Sequence, residues 1–139
     1  MKKSTQGNIV FVYAGWLFST ALNFFLLFQM REFYMIWFAA IGVDRFAAGF
    51  IDKLLLVVIG VVALGLIVLL ESLYRRNTIQ TFLWTTGIQL TLIGLFTFGR
   101  ASLYNVGGFM PVGGWLDIVL WVGVGIALMA AARYRQSQR

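Results

Sequence analysis

The sequence predicts an all-α integral membrane protein: a bundle of four transmembrane helices, with an amphipathic or re-entrant external segment between the first and the second. Three observations predict it. The chain is 60% hydrophobic and only 12% charged over 139 residues, too little polar surface to cover a soluble core. Apolar runs of about twenty residues recur four times, and at ~1.5 Å rise per residue each can cross a hydrocarbon core of ~30 Å. The charged residues stand at the ends of these runs and not within them.

The first span is read at 9–30. Its apolar run is long, and no small-residue cleavage site follows it, so it is expected to remain as a signal anchor. Residues 33–43 are apolar too, but they are too few to cross alone, and extending them to residue 51 would carry Asp44 and Arg45 through lipid. Residues 31–53 are therefore expected as the external segment. There Phe46 and Phe50 lie one helical turn apart, with Arg45 and Asp52 on another face, and Phe33, Tyr34 and Trp37 suit the headgroup level.

The second and third spans are read at 54–70 and 79–99, joined by a tight turn about Arg75 to Asn77. Glu71 and Arg75 stand at i,i+4, and Asn77 with Gln80 reads as a capping box opening the third helix. The fourth span is read at 115–132, with Asp117 in its first turn, where a negative charge meets the helix dipole. The loop 100–114 before it contains most of NVGGFMPVGGW, with two Gly-Gly pairs and the only proline of the chain. A Walker loop needs Gly-Lys-Ser/Thr before a helix and a dinucleotide fingerprint needs a preceding strand; neither context exists here. The stretch reads as a wide turn whose Phe109 and Met110 meet the interface or a neighbouring protein.

Four spans separate the charges cleanly. One side collects seven basic residues and the single acid Glu71; the other has four bases against four acids. The positive-inside rule then places both termini in the cytoplasm, where the basic side faces anionic lipid. The formal charge of +6 does not point to nucleic acid, because no soluble basic stretch of useful length exists.

Chemistry is narrowed by what is missing. With no cysteine and no histidine, neither a disulfide framework nor a histidine- or cysteine-ligated metal or haem is expected, and no imidazole catalysis. The span interiors have no lysine for a retinal Schiff base and no carboxylate for a proton-coupled exporter. What remains is neutral. Gly15, Ser19 and Asn23 lie four residues apart on the first helix, with Thr20 beside them; Thr78, Thr81, Thr85 and Gln89 form a stripe on the third; Gly123, Ala127 and Ala131 repeat the spacing on the fourth. Such ridges let helix backbones approach and bond across. The amides of Asn23 and Gln89 could also ligate the magnesium of a pigment or line a narrow pore, and a quinone could sit near Trp37, Tyr104 or Arg100, although the spacing selects none of these.

The function expected is that of a small non-catalytic accessory, assembly or scaffold subunit, packing by its helices against other integral-membrane subunits or copies of itself. Phe46, Phe50, Arg100, Phe109 and Met110 are its candidate external docking residues. The alternative is a small oligomeric channel or carrier with a neutral polar track. A third reading is an enzyme acting on a lipid-linked substrate through Asp44, Asp52 or Asp117 and Arg100.

Overall fold

The computed structural model describes residues 4–104 and 112–138, and these form four α-helices: α1 (Ser4–Ala40), α2 (Arg45–Arg76), α3 (Thr78–Tyr104) and α4 (Val112–Ser137). All four contain stretches long and apolar enough to cross a membrane. The number of spans agrees with the sequence reading, but the first boundary does not. Residues 31–53 are not a separate structural element: α1 runs on to Ala40 and α2 starts at Arg45, so they form the closed end of the α1–α2 hairpin.

The reason is local. Nothing in 31–40 breaks a helix, and the chain turns only where Gly42 adopts φ +75. Val43 N–H then reaches back to Phe38 O (3.0 Å) and Gly42 N–H to Ala39 O (3.2 Å), the crossed pair of bonds of a Schellman motif. Two residues later the Asp44 carboxylate accepts from Phe46 N–H (3.0 Å) and opens α2. Ile41-Gly42-Val43-Asp44 is thus a complete helix stop and start in four residues.

The second connection is a single residue, Asn77. Its capping box does not form: Gln80 donates instead to Ala132 O on α4 (3.0 Å). At the end of α2 Thr78 donates to Tyr74 O (3.0 Å), and Thr81 adds a second bond to Leu73 O (3.1 Å), which also accepts from Asn77 N–H (3.1 Å). The Glu71–Arg75 pair forms as expected, and Arg75 also donates to Tyr13 OH on α1 (2.7 Å).

Helices α1, α2 and α3 pack on one another, with α3 parallel to α1, while α4 runs antiparallel along α3 and meets no other helix among the described residues. Two kinds of contact hold the layers. Val12, Leu70 and Tyr74, with Trp16 and Phe82 against them, fill the space between the first three helices. Between α3 and α4 the contact is made by glycine. A methyl group placed on Gly87 would meet Gly125 O at 2.8 Å, and one on Gly94 would meet Val122 Cγ2 at 2.5 Å, so the backbones approach as closely as glycine allows.

Candidate functional site: two buried polar clusters

The first cluster lies between α1, α2 and α3 and runs from Tyr74, near the end of α2, to Gln89, midway along α3. The expected ridge of α1 is its inner wall. Gly15 admits the Tyr74 ring, since a methyl group there would lie 2.8 Å from Tyr74 Cε1. One turn on, the Ser19 and Tyr74 hydroxyls share a 2.6 Å hydrogen bond with both residues fully buried. Gln89 Nε2 donates to Ser19 O (2.9 Å) and to Asn23 Oδ1 (2.7 Å), bridging α3 to α1. Beside them Trp16 donates to Ile67 O of α2 (2.9 Å).

The cluster is only partly satisfied. Among the described residues, Asn23 Nδ2, Gln89 Oε1 and Thr86 Oγ1 are buried without a hydrogen-bond partner, as is Gln29 Oε1 further along α1. Unpaired polar atoms at this depth are costly, because no lipid can bond them. Of the α3 stripe, Gln89 belongs to the cluster, Thr78 and Thr81 serve the end of α2, and Thr85 is half-buried without a side-chain bond to another helix.

The second cluster lies toward the α1–α2 turn and is ionic. Asp52 is 6% exposed on α2 and accepts three hydrogen bonds from α1: Arg31 Nε (3.0 Å), Arg31 Nη2 (2.8 Å) and Tyr34 OH (2.6 Å). The fork of Arg31 on the carboxylate is bidentate, the arrangement that best offsets burial of the charge. On the other side of α1, Glu32 pairs with Arg100 of α3. The ring of Phe33 packs against Gly99 and Phe96 between them. Arg100 and Asp52, candidates for external chemistry, are thus held in ion pairs, and Asp44 is held in a helix cap; Asp117 is exposed.

The small-residue ridge of α4 takes no part in the α3–α4 contact. Gly123, Ala127 and Ala131 are exposed, and a methyl group on Gly123 meets nothing within 4 Å. The face turned to α3 is instead Ile118, Val122, Gly125, Met129 and Ala132, spaced alternately by four and three residues. Phe46 and Phe50 stand exposed on the first turns of α2. Phe109 and Met110 lie outside the described residues.

Sequence reasoning missed Tyr74, Thr86, the Arg31–Tyr34–Asp52 triad and the α3–α4 glycines. For the triad a signal existed: a basic residue ten positions before the turn and an acid eight after it face each other once the hairpin is recognised. The chain matches no protein family, no curated protein and no solved structure.

Proposed function

We propose that the chain is a non-catalytic, multi-pass integral-membrane subunit, with both termini cytoplasmic, that acts in assembly by packing its helices against partner membrane proteins or further copies of itself. The observation that carries this reading is α4. It rests on α3 by one glycine-lined face and presents on the other the ridge Gly123, Ala127, Ala131, open along its length and flanked by exposed Val119, Leu120 and Val124. A ridge of that kind fits a second transmembrane helix at close approach. The acids and bases that an enzyme would use are largely engaged in holding helices together, which favours a structural role over the enzymatic reading.

The test is photocrosslinking in native membranes. A benzophenone amino acid at position 127 is expected to capture a membrane protein or a second copy of the chain, whereas one at position 118, facing α3, yields no such adduct. Gly123→Leu and Ala127→Leu are expected to abolish the adduct or the oligomer, and Leu120→Ile to preserve it. Labelling of lipid alone from position 127 would refute the proposal.

A second reading, a small oligomeric channel or carrier, is supported by the unpartnered polar atoms of Asn23, Thr86 and Gln89 at mid-span. It predicts solute-dependent swelling of reconstituted liposomes that Gln89→Leu removes.

A further inference from the structure

At the end of the bundle where α3 begins, α1 and α3 stand apart above the rings of Phe18 and Phe82, which are tilted at 41° with centroids 5.9 Å from each other. The space between them is a groove of about 600 Å³ lined by Phe11, Ala14, Gly15, Phe18, Ile79 and Phe82. Its volume is in the range of pockets that hold a small ligand, ~300–1,000 Å³. Thr78 also lines it, but its hydroxyl proton is spent on Tyr74 O, so the wall offered to a ligand is mostly hydrocarbon.

The charge at this end is predominantly positive. Arg75 and Arg76 close α2 immediately before the α3 residues that line the groove. The bond from Gln80 to Ala132 O sets the register of α4, so Arg133 and Arg135, just beyond Ala132, stand level with the start of α3. Glu71 is engaged by Arg75; Arg76, Arg133 and Arg135 enter no ion pair among the described residues. An apolar slot at the arginine-bearing end of the bundle matches an amphiphile with an anionic head.

We infer that this groove is a binding site for an anionic phospholipid, one acyl chain lying between α1 and α3 above Phe18 and Phe82 and the phosphate at the arginine-bearing end. A zwitterionic lipid fits the slot equally well but gains less from the arginines of that end, since each arginine near an anionic head contributes roughly a five-fold preference. The site does not depend on what α4 binds: lipid retention reads one and crosslinking from position 127 reads the other.

The experiment uses the full chain in mild detergent with equimolar palmitoyl-oleoyl phosphatidylglycerol and phosphatidylcholine. Native mass spectrometry is expected to show phosphatidylglycerol retained roughly five-fold or more over phosphatidylcholine. Arg76→Gln combined with Arg133→Gln and Arg135→Gln is expected to equalise the two lipids, and Ala14→Trp, which fills the slot, to remove both. A phosphatidylglycerol with a diazirine in its acyl chain should label Phe11, Ile79 or Phe82 of the unaltered protein, so the inference stays testable even if Ala14→Trp fails to fold. Equal retention of the two lipids by the unaltered protein, undiminished retention by a folded Ala14→Trp, or labelling confined to other faces would each overturn it.

Discussion

The α3–α4 contact makes the most specific demand on sequence, and Gly125 is where to test it. A Cβ at this position would overlap Thr91 Oγ1 and would lie 2.7 Å from Gly87 O and 2.8 Å from Thr91 N. Two of these neighbours are backbone, and the third is tied by its own bond to Gly87 O at 2.8 Å, so none can swing aside. The helices must separate by about 0.7 Å to restore ordinary contact at Gly87 O alone, a gap that forfeits a quarter to a half of the dispersion energy along the seam. Gly125→Ala is therefore expected to cost ~1–3 kcal/mol in overpacking. Gly123→Ala, two residues away in open space, supplies the control. Both variants gain the same helix propensity, ~1 kcal/mol, so the difference between them isolates the steric cost. Reversible unfolding in mixed micelles titrated with sodium dodecyl sulfate measures it. Equal midpoints for the two alanine variants would refute the close approach, as would a Gly123→Ala protein less stable than Gly125→Ala.

Three other outcomes are expected. Tyr74→Phe leaves the buried Ser19 hydroxyl without its partner and should cost ~1–2 kcal/mol in the same titration, while Tyr74→Phe with Ser19→Ala should cost no more than either single change; strict additivity would show the 2.6 Å bond to be energetically idle. Arg31→Leu should lower the thermal midpoint more than Asp52→Leu, because it strands a buried carboxylate whereas the guanidinium, 46% exposed, can turn to water; the double leucine variant should recover part of the loss, and the opposite order of the singles would contradict the geometry. Alkaline phosphatase fused after residue 139 should be inactive and the same enzyme inserted at residue 110 active, and the reverse pattern would invert the proposed orientation.

The four helices are legible in the sequence because hydrocarbon thickness imposes a length on each apolar run, and the inner wall of α1 is legible because Gly15, Ser19 and Asn23 form a polar stripe. The end of α1 was harder to see. Arg31 and Glu32 look like the edge of a span, but a helix is held by backbone bonds that do not register side-chain charge, and each charge found a partner on another helix. On α4 Gly123 lies two residues, about 200°, around the helix from Gly125, so the ridge Gly123, Ala127 and Ala131 falls on the face turned away from α3, and a local spacing does not say which neighbour a face meets. Tyr74 was not legible at all, because its meaning depends on a register with Ser19, 55 positions away, that no local pattern carries.

The ionic cluster around Asp52 has a consequence for where the molecule sits. Arg75 bonds Tyr13 near one end of α1, and Arg31 bonds Asp52 near the other. The 18 steps from Tyr13 to Arg31 rise about 27 Å, close to the thickness of hydrocarbon. Sliding by even one helical turn along the membrane normal would draw one of these fixed charges into lipid, and because each is tied to a second helix it cannot be left behind at the surface. The chain is therefore pinned in depth, like a rung between two floors. Any helix that lies along α4 meets Gly123, Ala127 and Ala131 at one fixed height, so a partner has to be matched in vertical register as well as in shape.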